Sequence, residues 1–246
     1  MKFYIALING LFFLTLTGSA QVIDTSDYMP PPPTESGVSS VLRSQRHLLF
    51  IDITHNSWFN LPEGIHTNFI SGGINFSLYY DIFIAKKHFS IAPGIGYANS
   101  TVKNNAYSQV IDGGSTLSYT SLITYPDSVK FLKNKFSASY LDLPVEFRFR
   151  IKPDERGKNF WIAPGFRAGL LLSDFWKYKN EMVPGQVMKT KNYNLENIEN
   201  FHYGISFRAG YYKFGVYAYY SLSTVFEKNH GPDLVPFSIG IAFTPL

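Results

Sequence analysis

From Tyr140 to Lys152 the chain reads YLDLPVEFRFRIK, and from Leu141 onward it alternates strictly between apolar and other residues. Leu141, Leu143, Val145, Phe147, Phe149 and Ile151 fall on one side, and Asp142, Pro144, Glu146, Arg148 and Arg150 on the other. A period of two is that of a β-strand with unlike surroundings on its two faces. The run exceeds the usual soluble strand of about 5 to 6 residues. A long strand, greasy on one face and charged on the other, suits the wall of a membrane barrel.

The same pattern recurs along the chain and predicts about eight strands. The first begins near His47, with Leu49, Ile51 and Ile53 opposite Phe50, Asp52 and Thr54. The second runs from Gly73 to Ile84, and a tight Ala85-Lys86-Lys87 turn leads to the third, Phe89 to Val102. The stretch above is the fourth, closed by the polar turn from Pro153 to Gly157. Phe160 to Phe175 is the fifth. Tyr203 to Leu222 predicts a hairpin turning at Tyr212-Lys213, and Val235 to Phe243 is the last strand. The polar segment 104–134 carries only patchy alternation and reads as a loop with room for strand extensions, and 177–200, rich in Lys and Asn, reads as a loop. Short turns thus follow the second, fourth and sixth strands, and long loops the others. That asymmetry belongs to an outer-membrane barrel, and an even strand number returns both ends to the periplasm.

The rival is a soluble barrel with an apolar interior, whose second face would meet water. Here that face is largely Gly, Ala, Ser and Tyr, which fits the crowded interior of a small barrel better than a solvated surface. Its charges also balance: Asp52, Asp81, Asp142 and Glu146 against Arg148, Arg150, Arg167 and Arg208. Paired in a closed lumen, such groups are tolerable. Slipping the fourth strand by one residue would turn two arginines to lipid, at roughly 2 to 4 kcal/mol each near the midplane. The expected fold is therefore an all-β, antiparallel, up-and-down transmembrane barrel with a plugged polar lumen. Pro93, Pro144 and Pro164 oppose it, since a closed barrel has no free edge, so a bulge or lost ladder bond is expected beside each. Two of them lie in an internal echo, FSIAPG at Phe89–Gly94 and FWIAPG at Phe160–Gly165.

Composition bounds the alternatives. Only 16% of the 246 residues are charged, against roughly 25% in ordinary soluble domains. With no cysteine, disulfides, thiolate metal sites and cysteine nucleophiles are excluded. The +4 charge is scattered, which disfavours nucleic acid as a partner. Lys2, the apolar run Phe3 to Leu16 and Gly18-Ser19-Ala20 predict a signal peptide over 1–20. A Pro-rich periplasmic leader over 21–46 follows, and then the barrel over 47–246.

Several of these segments resemble the small outer-membrane β-barrel proteins of Bacteroidota grouped as PorT-like. The likeness is carried by IAPGIGY at Ile91–Tyr97, YLDLP at Tyr140–Pro144, the Gly-rich fifth strand and YGISFRAGYYKFGVYAYY at Tyr203–Tyr220. It departs at the first strand and the leader, and at Thr244-Pro245-Leu246, where such proteins often end on an aromatic; Phe243 is the nearest candidate. The resemblance implies an outer-membrane barrel with a structural or secretion-accessory role, inserted by the barrel-assembly machinery and meeting other envelope proteins.

Two sets of residues invite a chemical reading. His55, His66, His202 and His230 are expected toward the long-loop rim, with Ser57, Glu227 and Asp233 nearby, and a Ser–His–carboxylate set can make a hydrolase. No motif bearing a nucleophile surrounds them, and solvated rim histidines satisfy the same pattern. Lys177, Lys179, Lys189 and Lys191, with Glu181, can touch lipopolysaccharide phosphates or form an ordinary solvated loop. The residues therefore predict a non-enzymatic barrel without cofactor or metal, facing lipid and lipopolysaccharide; a rim enzyme and a small diffusion pore are the alternatives.

Overall fold

The computed structural model describes residues 47–85, 88–112, 118–124, 130–151, 158–183 and 186–245. The expected signal segment and leader lie outside these residues, as do residues 86–87 and 153–157 of two expected turns. Twelve strands are present among the described residues: β1 (His47–Phe59), β2 (Gly72–Tyr80), β3 (Ile82–Ala85), β4 (Phe89–Lys103), β5 (Ala106–Asp112), β6 (Ser118–Thr124), β7 (Lys130–Arg150), β8 (Phe160–Val183), β9 (Gln186–Tyr193), β10 (Phe201–Tyr211), β11 (Phe214–Ser221) and β12 (Val235–Phe243). All pairings between them are antiparallel.

The wall is an eight-membered ring. Its order runs β10, β11, β12, β1, β2, β4, β7, β8, and β8 pairs again with β10 to close it. β3 continues β2 along the same edge of β4, in the same register. Closure leaves no wall strand with an open edge, which is the condition for crossing lipid as a sheet. The start of β1 and the end of β12 lie at the end of the barrel that carries the short turns.

Two segments expected to be loops are largely strand. Within 104–134 the chain forms the β5–β6 hairpin, and β7 begins at Lys130, well before Tyr140. Within 177–200, β8 runs on to Val183 and turns back as β9. The reason is that each long strand reverses its polarity part-way. Below Tyr140, β7 shows Leu143 (61% exposed) and Phe147 (56%) outside and buries Asp142, Glu146 and Arg148 inside. Above it the outward parity holds Ser139 and Ser137, both covered by side chains of β4, and then Lys135 and Lys133, while Phe136 and Ala138 are buried inside. β4 changes likewise, from Ile95 and Tyr97 to Asn99, Thr101 and Lys103 outside, with Val102 buried. On β8 the register shifts opposite Ser139/Tyr140, leaving Leu172 as an extra residue. Such a bulge swaps the faces, so that Trp176 points in although it shares the parity of Leu170 and Leu172. Each of these strands is thus a membrane stave at one end and an ordinary water-soluble strand at the other.

Aromatic pairs mark both edges of the greasy band. At the short-turn end, Phe89–Phe149, Phe160–Tyr211 and Phe214–Phe243 meet with centroids 4.9, 4.8 and 5.2 Å apart. At the long end, Phe59 packs on Phe237 (5.3 Å) and Tyr220 (5.9 Å). Girdles of this kind sit at the two interfaces of a membrane barrel.

The three prolines each coincide with a break in a ladder. Pairing jumps from Tyr79↔Gly94 to Ile82↔Ile91 beside Pro93, and from Pro93↔Val145 to Gly96↔Asp142 beside Pro144. It jumps again from Glu146↔Gly165 to Phe149↔Ile162 beside Pro164. A residue without an N–H cannot bond to one neighbour, and here the loss also divides β2 from β3.

Candidate functional site

Two unlike packings occupy the interior among the described residues. In the short-turn half lie the eight charged residues predicted for the lumen. Six form one chain of alternating sign. Arg208 grips Asp52 through Nη2 (2.6 Å) and Nε (3.2 Å) and also pairs with Glu146. Glu146 accepts from Arg148 Nε (2.9 Å) and lies 2.7 Å from its Nη2, Arg148 reaches Asp81 at 2.9 Å, and Asp81 also pairs with Arg150. Three carboxylates and three guanidiniums neutralise one another inside a low-dielectric enclosure, where an unpaired charge would be costly. The remaining two, Asp142 and Arg167, pair at 2.5 Å nearer the middle of the barrel.

Aromatic side chains complete the shell. Arg208 donates to Tyr79 Oη and Arg167 to Tyr217 Oη, both at 2.7 Å. The Arg148 guanidinium lies 4.5 Å from the Tyr79 ring, and that of Arg208 lies 4.5 Å from the Tyr217 ring. Phe50 sits between them, 5.1 Å from Arg148 and 5.2 Å from Arg208. Stacking on π faces replaces part of the hydration these cations have lost. The inward parity of Phe50, Tyr79 and Tyr217 was legible, but the charges alone did not indicate that the rings would bond to them.

His202 is the one histidine whose place differs from expectation in kind. It does not stand at the rim but is buried in the lumen, with Nε2 2.6 Å from Asp142 Oδ1 and Nδ1 3.3 Å from Tyr219 Oη. Its ring stacks on Tyr140 at 4.1 Å. The contact with Asp142 crosses an intervening strand, for Asp142 and His202 are both cross-strand partners of Gly169 on β8. A β-carbon on Gly169 would collide with Asp142 and come within 2.5 Å of His202 Nε2. Gly165 similarly lies between Glu146 and Ser206, and a β-carbon there would come within 3.0 Å of Glu146 Cγ and Ser206 Oγ. The signal in the sequence was a shared inward parity at 202, 204, 206 and 208, with glycines facing it on β8.

The proposed hydrolase residues are not brought together. His55 bonds Ser71 O (2.9 Å) and packs against Phe69, while Ser57 bonds Thr67 (2.9 Å). His66 is exposed, His230 bonds Lys228 O (3.0 Å), and Asp233 is exposed. His202 has its carboxylate, but the hydroxyl on its other nitrogen is a buried tyrosine.

In the long half the interior is apolar. Trp58, Val102, Phe136, Ala138, Trp176, Ile198, Val225, Phe226 and Leu234 form one buried cluster, with Trp176 Nε1 donating to Asn134 at 2.6 Å. The β5–β6 hairpin is tied across this end: Thr120 N donates to His230 O (2.8 Å), and Asn197 donates to Thr120 Oγ1 (3.0 Å) and Ser118 O (3.2 Å).

Among solved structures, Ail, the attachment invasion locus protein of Yersinia pestis, is similar at 12% identity and TM-score 0.38, over 81% of this chain and 97% of that one. The same protein with the heparin analogue sucrose octasulfate gives 11% and 0.33, over 81% and 97%. A structure described as showing asymmetric conductivity of engineered proteins gives 8% and 0.21, over 80% and 99%. Likeness at this distance says nothing of activity. No curated protein sequence matches. Residues 38–227 match the family described as outer membrane protein beta-barrel domain, which spans most of the chain and seven of the eight wall positions; the chain belongs to that family.

Proposed function

We propose that this protein is a sealed, non-enzymatic outer-membrane barrel that works by binding, with its long end outside the cell and the ends of β1 and β12 in the periplasm. The observation that carries this reading is the filled interior. Among the described residues, paired charges occupy one half and a cluster of aromatic and aliphatic side chains the other, and together they leave little room for a solute. The extended strands β4, β7, β8 and β9 and the β5–β6 hairpin then make a rigid platform above the membrane, braced by their own core. A secretion-accessory role, implied by the PorT-like resemblance, is one use of such a platform.

Planar-bilayer recordings with the purified protein test the seal. Silent membranes are expected, and reproducible single-channel steps would refute it. For the secretion role, deletion of the gene should alter the set of exported or surface proteins; an unchanged set would remove that role and leave the sealed barrel standing.

A further inference from the structure

The outward face of the platform carries lysines set in rows. Lys103 pairs across strands with Lys135, Lys135 with Lys177, and Lys177 with Lys191, so four adjacent strands place an ammonium at one level. One step further from the membrane, Lys133 pairs with Lys179 and Lys179 with Lys189. Directly opposed residues in antiparallel strands lie about 4.5 to 5.5 Å apart at Cα, and like charges so placed destabilise a sheet. Among the described side chains, Glu181 is the one carboxylate of β7, β8 and β9 on this face. Burial first, and then the charges of Lys133, Lys177, Lys191 and Lys103, lower the pKa of Lys135 below that of an ordinary lysine. A fold that keeps seven cations together at such a cost is arranged to be relieved by an anion.

The position of the rows narrows the anion. Beneath them runs a level of hydroxyls and amides, with Thr101 bonded to Ser137 (2.8 Å), and Asn99 (2.9 Å) and Tyr97 (3.0 Å) bonded to Ser139. Beneath that lie the lipid-facing Leu141, Leu143 and Leu170. The rows thus stand on the outside of the wall, over the greasy band, where a ligand arrives sideways from the surrounding leaflet. Phe175 and Tyr193 draw two of the ammoniums downward: Lys191 Nζ is 3.9 Å from the Phe175 ring and 4.2 Å from that of Tyr193, and Lys135 Nζ is 5.1 Å from Phe175.

Lys135 lies six residues beyond Leu141. At about 3.4 Å per residue and a tilt of about 40° that is about 15 Å above Leu141, the last apolar outward residue of β7 before Lys135. A phospholipid headgroup layer is only about 5 to 8 Å deep. The phosphates must therefore be carried outward on a longer stem.

We propose that the seven-lysine face binds phosphates on the sugar portion of lipopolysaccharide in the adjoining outer leaflet. This rests on the outward orientation of the long end given above, and it adds to that reading a site and a ligand class.

The test titrates the purified barrel with lipopolysaccharide bearing a phosphorylated core, and with the same preparation after dephosphorylation. Three proteins are compared: the parent, a K135Q/K177Q/K191Q variant and a K135R/K177R/K191R variant. The glutamine variant should bind the phosphorylated glycolipid at least about tenfold more weakly, as loss of three exposed charge contacts predicts, and the arginine variant within about twofold of the parent. Dephosphorylation should cost the parent a similar factor. Gel mobility before and after boiling checks that each variant is folded. Having lost its like-charge row, the glutamine variant should resist heat at least as well as the parent.

Equal binding by parent and glutamine variant would overturn the proposal, as would equal binding of phosphorylated and dephosphorylated forms. So would full competition, at matched phosphate or sulfate concentration, by phosphatidylglycerol vesicles, inorganic phosphate or a soluble sulfated polysaccharide. A conducting barrel that still discriminates these ligands would sink the sealed-lumen reading alone, so the two failures are distinguishable.

Discussion

At the scale of single residues, the interior depends on who is allowed to meet whom. Arg208 touches Asp52, Glu146 and Tyr79, and all four side chains are buried. Replacing it by alanine would leave Asp52 without a cation in an enclosed space and Glu146 with Arg148 alone, a loss of about 3 to 5 kcal/mol. Urea unfolding in detergent or lipid should show that loss for Arg208→Ala, and D52N in the same background should restore part of it. A loss below about 1 kcal/mol would mean that the chain of ion pairs is not formed. Gly169→Ala makes the complementary test. Its methyl group would wedge between Asp142 and His202, and overpacking of this kind costs about 1 to 3 kcal/mol. Alanine at Gly169 with unchanged stability would show that the two residues do not meet across β8. Which residues face inward could be read from parity, because an up-and-down strand has only two faces. Which pairs form could not, because Asp142 with His202, and Glu146 with Arg208, bond over an intervening strand, the first of them through the space Gly169 leaves.

At the scale of elements, the long strands divide where their polarity reverses. The membrane portions were legible because lipid and lumen impose opposite demands on alternate residues, and a greasy face is easily seen. The upper portions were not, for three physical reasons. The lysines that look like loop residues belong to a water-facing sheet. The bulge at Leu172 shifts the parity, so a single alternation does not run through β8. The inner partners, such as Phe136 and Trp176, are too widely spaced among polar residues to declare a period. The reversal carries its own prediction: an arginine at Val145, midway between Phe149 and Leu141, should cost about 2 to 4 kcal/mol in a lipid bilayer, and one at Thr101 about 0 to 1. Folding equilibria of the two variants in the same vesicles decide it, and equal costs would mean that the lipid boundary is not near Tyr140. The prolines acted as anticipated at this scale, since each marks a ladder break that the closed wall survives.

At the scale of the whole molecule, a closed wall surrounds a filled interior and supports a charged platform. Closure predicts a band on a denaturing gel that shifts on boiling, and an unshifted band would argue against a continuous ring. The central claim is more specific: one set of strands is lipid-facing below Tyr140 and water-facing above it, on the cell's outer side. Because the chain has no cysteine, single cysteines can be placed along the outward face of β7 without background. Intact cells bearing cysteine at Lys133, Lys135, Leu143, Val145 or Phe147 would be treated with a membrane-impermeant maleimide. Labelling at 133 and 135, with none at 143, 145 and 147, is the predicted result; labelling at the lower three positions, or protection of the upper two, would contradict it.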